Sequence, residues 1–169
     1  MEEKIINRVA NSPLVSLDFD EYIDQSERAF FDIKDCLFQG MILREKDFRS
    51  FIKEYNWSQY QDKNVAVFCS VDAIVPTWAY MLVATKLHNV ANKMVFGQEE
   101  ELEKELIDEA INIILDKDLN EAKVVIKGCG NLKSRDYAFF ELTKKLTPKV
   151  NSIMYGEPCS TVPVYKKKK

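Results

Sequence analysis

The chain has 169 residues, of which 46% are hydrophobic and 30% are charged, and its formal net charge at pH 7 is -3. These values suit one globular domain and argue against general nucleic-acid binding. The amino-terminal residues lack the pattern of a secretory signal and no apolar run is long enough to cross a membrane, so we expect a cytoplasmic protein that binds neither membranes nor nucleic acids.

The first part of the chain, residues 1–60, reads as a lead-in that packs on the main body. Arg28–Lys34 (RAFFDIK) is typical of a strand, and Gly40 favours a turn or hairpin after it. From Glu45 to Tyr55, aromatic and aliphatic residues recur at spacings of three and four with charges between them. This periodicity predicts an amphipathic helix.

The stretch Asn64–Tyr80 (NVAVFCSVDAIVPTWAY) predicts a buried strand, a loop and the start of a helix. Cys69 lies at the carboxyl end of the strand, and Pro76 favours a helix that begins near it. The helix, Pro76 to about Ala91, has almost no polar face. It is therefore expected to be buried on more than one side, either between the sheet and its neighbours or in a homodimer interface.

Two more strand and helix pairs follow, and a last strand ends the series. The strands are predicted at Lys93–Phe96, Lys123–Lys127 and Ser152–Tyr155, and the helices over the acidic segment QEEELEKELIDEAINIIL and over Asp136–Leu146. The final residues, VPVYKKKK, are interpreted as a solvated tail.

This alternation predicts an α/β fold with a mostly parallel sheet and crossover helices. The architecture expected is three-layered, Rossmann-like, flavodoxin-like or STAS-like, preceded by an amino-terminal strand or hairpin and an amphipathic helix. We expect a single domain over residues 1–169, with residues 64–160 forming the repeated β-α core.

Three cysteines, Cys69, Cys129 and Cys159, each lie just past the carboxyl end of a predicted strand. Ligands of parallel sheets collect at that edge, so the fold is expected to bring the three thiols to one rim. With the strands ordered second, first, third, fourth, Cys69 and Cys129 would flank the point where the connections reverse direction. Cys36 falls outside this pattern.

Converging thiolates predict a metal site, with zinc as the first expectation and iron as the alternative. A closed site would be structural, whereas an open fourth position would permit metal-assisted hydrolysis. Asp72 is the first choice for a fourth ligand. Glu157 is the second choice, and it could instead act as a general base or orient a ligand. Free cysteines are also commonly buried for packing alone, and the spacing matches no local zinc motif.

Two other functions remain open. A metal-free cysteine protein would use one thiol for redox chemistry or sulfur transfer on a small-molecule ligand, and a non-enzymatic module would bind a regulatory partner. The chain contains neither a Walker-type phosphate loop nor a G-x-G-x-x-G sequence. The single histidine, His88, is explained by its place near the end of the apolar helix.

Several long motifs resemble an uncharacterised bacterial family, domain of unknown function 2480: NRVANS, FDIKDCLFQG, WSQYQDK, CSVDAIVPTWAYML, VVIKGCG and SIMYGEPCSTVPVYK. The resemblance covers nearly the whole chain and implies no defined activity or substrate. It places emphasis on Cys69, Asp72, Cys129, Glu157 and Cys159.

Overall fold

The structure, a computed structural model, describes residues 14–128, 130–157 and 159–168. Its strands are β1 (Leu14–Leu17), β2 (Arg28–Asp32), β3 (Asn64–Phe68), β4 (Lys93–Phe96), β5 (Lys123–Ile126), β6 (Ser152–Glu157) and β7 (Ser160–Lys166). Its helices are α1 (Glu45–Glu54), α2 (Thr77–Leu87), α3 (Glu99–Leu115) and α4 (Arg135–Leu146), with short 3-10 helices at Phe19–Glu21, Ile33–Cys36 and Trp57–Tyr60.

The predicted α/β fold with mostly parallel strands is confirmed, but the strands form two sheets. One has the order β2-β3-β4 and is entirely parallel. The other has the order β1-β5-β6-β7, in which only the β6 and β7 pair is antiparallel. The strands predicted to lie side by side in one sheet are divided between two. Each sheet also contains a strand from the amino-terminal part of the chain, because β1 pairs with β5 and β2 pairs with β3.

The described residues group into two compact units. One contains Gln25–Glu105 and the β2-β3-β4 sheet, and we call it the central unit. The other, which we call the terminal unit, joins the described residues up to Asp24 with those from Leu106 onward and contains the second sheet. The expectation of one domain with residues 1–60 as a lead-in stays a prediction.

The core of the central unit lies between its sheet and helices α1 and α2. Val65 and Val67 of β3 are buried there together with Phe48 and Ile52 of α1, which confirms the predicted amphipathic helix. Burial on more than one side, between neighbours or in a homodimer, stays a prediction for α2. The helix buries the stripe Ala79, Val83 and Leu87, whereas Met81 is 64% exposed, so one apolar side of this helix faces outward.

In the terminal unit, β5 is buried along Val124–Ile126, as its β-branched composition predicts. The residues interpreted as a tail form most of β7 instead. Pro163 falls where the β6 and β7 pairing shifts register, a place where a strand tolerates a residue without an N–H.

Throughout the described ranges, no helix is long and apolar enough to span a membrane.

Candidate functional site

Cys69 lies directly after β3, in the loop that leads to α2. It is partly buried, and its thiol donates a hydrogen bond to the carbonyl of Val71 at 3.4 Å. The neighbouring loop after β2 is tied to this one by Asp32, whose Oδ1 accepts the main-chain N–H groups of Lys34 and Ser70, each at 3.0 Å. One carboxylate therefore holds both loops at the carboxyl ends of neighbouring strands.

A cleft of about 790 Å³ opens beside Cys69, at the carboxyl ends of β3 and β4. Ligands of parallel sheets occupy this position, and the volume suits a small molecule. Its walls combine the Cys69 thiol with aromatic rings and with the start of α3: Phe68, Tyr80, Phe96 and residues 97–101.

The rim of this cleft, which we call the acidic rim, is formed by residues 97–101. Gly97 has φ +137°, and a Cβ there would lie 2.6 Å from the Cβ of Glu101. Glu101 caps the helix, since its Oε2 accepts the N–H of Gln98 at 2.8 Å. Glu99 and Glu100 add two more carboxylates, although Glu100 is paired with Lys104 at 2.7 Å. The rim therefore favours neutral or cationic molecules over anions.

The Tyr80 phenol in the cleft is kept neutral, and the Asp32 carboxylate, which binds the loop after Cys69, is kept ionised. Burial raises the pKa of Tyr80, and the neighbouring charges of Cys69 and Asp32 act in the same direction. For Asp32, burial works to raise the pKa, but hydrogen bonds from Ser70 and Lys34 outweigh it and the pKa is lowered. Tyr80 thus offers a hydrogen-bond donor beside the thiol.

Cys36, which falls outside the three-thiol pattern predicted from the sequence, belongs to the central unit. It ends the 3-10 helix after β2 and packs, like Cys69, against the core of the central unit. Burial raises the pKa of its thiol to about 12, helped by the charges of Asp35, Asp32 and Cys69. The sequence also indicates that Cys36 lies near a strand end, because it comes shortly after the predicted strand Arg28–Lys34, just as Cys69 comes after the next predicted strand.

Two of the three thiols predicted to meet follow strands of different sheets. Cys69 belongs to the central unit, whereas Cys159 is exposed in the turn between β6 and β7 of the terminal unit. Cys129 lies outside the described residues. The predicted convergence assumed that all the strands end at the edge of a single sheet. Because the strands form two sheets, that edge is not shared, and the zinc or iron site stays a prediction.

The other two predicted ligands occupy separate units as well. Asp72 is exposed, three residues after Cys69 in the central unit. Glu157 is the last residue of β6 and pairs with Ser160 across the hairpin of the terminal unit. Among the residues with described positions, no group of three or more histidine, cysteine, aspartate or glutamate side chains could hold a metal ion.

A second cluster, missed from the sequence, lies at the carboxyl ends of β5 and β6 in the terminal unit. The Arg135 guanidinium donates to the Gly128 carbonyl and to the Tyr155 hydroxyl, the latter at 2.9 Å. A Cβ at Gly128 would lie 2.8 Å from the Tyr155 ring, so this close approach requires glycine. Arg135 could have been singled out because it opens the helix that follows the Gly128-Cys129-Gly130 sequence.

Comparison with known families supports the resemblance seen in the motifs. The family model described as a protein of unknown function, DUF2480, matches residues 3–167, and the chain belongs to that family. No curated protein and no solved structure was found to match the chain.

Proposed function

We propose that this member of the DUF2480 family is a cysteine-dependent protein in which Cys69 reacts with a small molecule bound in the central-unit cleft, by a reaction that needs no metal. The observation that carries the proposal is the position of the thiol in a cleft of about 790 Å³ at the carboxyl ends of β3 and β4. Such clefts are the usual ligand sites of parallel α/β sheets.

The two thiols of the central unit are suited to different roles. Cys69 lines the cleft, whereas burial and nearby carboxylates raise the pKa of Cys36 to about 12. Since the thiolate is the nucleophile, we expect Cys36 to react slowly at neutral pH. Cys69 is therefore the thiol that a molecule in the cleft meets.

The charges around the cleft define the class of molecule. Glu99, Glu100 and Glu101 of the acidic rim repel anions, and the neutral Tyr80 hydroxyl can donate to a carbonyl or similar acceptor. Phe68 and Phe96 supply apolar walls. A neutral or cationic molecule with an electrophilic centre, such as a small disulfide, fits these features.

The reaction with a disulfide balances without an added oxidant or reductant. Cys69 gives up its proton, and its sulfur attacks one sulfur of the disulfide. A mixed disulfide forms on Cys69, and the other half leaves with the electron pair as a thiolate, which takes up a proton. A second thiol reverses the modification by the same exchange.

The test compares neutral iodoacetamide with anionic iodoacetate as alkylating reagents, with the rate at each cysteine read by peptide mass spectrometry. We expect Cys69 to prefer iodoacetamide more strongly than it does in urea-unfolded protein. The double substitution Glu99→Gln and Glu100→Gln should reduce that preference. Glu105→Gln is the matched control, because Glu105 is exposed on the same helix and does not line the cleft.

Two results would count against the proposal. Equal preference for the two reagents in folded and unfolded protein would mean that the acidic rim does not act on Cys69. Resistance of Cys69 to alkylation until a chelator is added would instead favour the predicted zinc site with Cys129 and Cys159, because metal-bound thiolates are protected.

A further inference from the structure

The outer edge of the β2-β3-β4 sheet is an apolar strand with one neighbour in the part of the chain that the structure describes. Among the described strands, β3 alone pairs with β4. The β4 side chains Met94 and Phe96 share a face with Val65 and Val67, and they are 39% and 73% exposed. Proteins usually protect such edges with charges, proline or a bulge, and β4 carries only Lys93. The unpaired main-chain groups of such an edge are a template for pairing with a further strand.

The outward main-chain groups of β4 can be assigned from its bonds to the neighbouring strand. The N–H groups of Lys93 and Gly97 donate to the carbonyls of Lys63 and Val67, at 3.4 and 3.0 Å. Successive residues of a strand direct these groups to opposite sides, so Val95 also turns toward β3. Met94 and Phe96 therefore direct their N–H and C=O groups to the open edge.

We propose that a second copy of this chain covers the edge, with the two β4 strands antiparallel about a two-fold axis at Val95. In this register Met94 lies opposite Phe96 of the second copy, and the outward groups of both strands form four hydrogen bonds. A shift by two residues in either direction leaves Met94 or Phe96 without a β4 residue opposite. The strand is thus self-complementary, as a two-fold interface requires.

The side chains on this face fit the same arrangement. Each Met94 thioether meets the Phe96 ring of the other copy, a favourable pairing of sulfur with an aromatic ring. Beside them, a cleft of about 360 Å³ between β4 and α2 is lined by Tyr80, Met81 and Ala84. Met81 is 64% exposed, so α2 extends the apolar surface beyond the strand.

Phe96 offers a large exposed apolar area to a dimer centred on this strand. A buried aromatic side chain covers about 150–250 Å². Since Phe96 is 73% exposed, the two copies together can bury about 220–360 Å² from this residue alone, roughly a sixth of a standard interface. Phe96 is therefore the expected centre of the binding energy.

Charge is complementary at both ends of the paired strands. Lys93 of the second copy lies opposite Gly97, next to the carboxylates of Glu99, Glu100 and Glu101. These residues line the Cys69 cleft, so the dimer adds a positive charge near the acidic rim. The dimer does not depend on the proposed thiol chemistry, and either could fail alone.

Light scattering during size-exclusion chromatography of the full chain, over a dilution series, gives the mass directly. We expect twice the 19.6 kDa of one chain. Phe96→Glu should weaken association at least tenfold, as removal of a central aromatic does. Phe140→Glu is the matched control, since Phe140 is similarly exposed, at 67%, in α4 of the other unit. If the wild-type protein has the mass of one chain at every concentration, the proposal is overturned. A strand of another protein would then be the expected partner of the β4 edge.

A cross-linking test checks the register without depending on the folding of Phe96→Glu. In this register the two Val95 residues lie opposite each other as a non-hydrogen-bonded pair. Their Cα atoms are then about 4.5 Å apart, a distance that suits a disulfide. Oxidised Val95→Cys should therefore give a covalent dimer linked through position 95, identified by peptide mapping. Met94→Cys should not link to itself, because its partner is Phe96. A dimer that lacks the link through position 95, that links through position 94, or that persists in Phe96→Glu overturns this interface.

Discussion

Replacement of Asp32 tests how the loops on either side of the cleft are held. Asp32 caps the 3-10 helix Ile33–Cys36 through the Lys34 N–H and, with the same oxygen, accepts the Ser70 N–H next to Cys69. Its side chain is only 13% exposed. Asp32→Ala therefore removes two charge-assisted hydrogen bonds, and Asp32→Asn keeps an acceptor oxygen while it removes the charge.

The expected losses follow from those contacts. Hydrogen bonds to a charged group contribute about 1.5 kcal/mol or more each, so Asp32→Ala should lower the free energy of unfolding by about 3 kcal/mol. Asp32→Asn should lower the free energy of unfolding by about 1 kcal/mol. The pKa of Asp32 is lowered in the folded protein, so its contribution is present above its ordinary value of 3.8 and is lost as the pH falls through the folded-state pKa.

Urea unfolding monitored by tryptophan fluorescence is a suited assay, because both tryptophans, Trp57 and Trp78, lie in the central unit. The difference between wild type and Asp32→Asn should shrink in acid. If Asp32→Ala unfolded within about 0.5 kcal/mol of wild type, the carboxylate would not hold the two loops.

Three further predictions concern the central unit. With its pKa raised from 9.0 to about 12, Cys36 should be alkylated at pH 8 about a thousandfold more slowly than in urea, and equal rates would contradict its burial. Gly97→Ala, with φ +137° and the Glu101 Cβ 2.6 Å from the added atom, should destabilise by about 1–3 kcal/mol more than Gly40→Ala, where a Cβ meets nothing within 4 Å. Arg28→Met should lower the free energy of unfolding by about 3 kcal/mol, because the Glu103 carboxylate, only 6% exposed, loses its 3.0 Å contact with the guanidinium. In urea unfolding, adding Glu103→Gln should recover much of that loss.

The sequence predicts local elements where the apolar pattern is strong. The continuous apolar run Val65–Phe68 indicates a strand buried on both faces, and the spacing of Phe48 and Ile52 indicates a helix buried on one face, so both β3 and α1 can be predicted locally. The same pattern places Cys69 at a strand end, which is the part of the candidate site that the structure retains.

The division into two sheets could not be predicted in this way. Which strand lies next to which depends on contacts between distant residues, such as Leu14 beside Lys123 in the β1 and β5 pair. The predicted convergence of three thiols required all their strands to lie in one sheet, and the observed strand orders differ from the assumed one. The pairing of Asp32 with Phe68 in neighbouring strands is another such contact, and it brings together the loops that carry Cys36 and Cys69.

Elemental analysis of the purified protein, expressed without a metal-binding tag, tests most directly whether Cys69 acts as a free thiol. The account predicts far less than one zinc or iron per chain, with no difference between wild type and Cys69→Ser, Cys129→Ser or Cys159→Ser. About one metal ion per chain, lost in all three variants and kept in Cys36→Ser, would contradict it and establish the shared metal site instead.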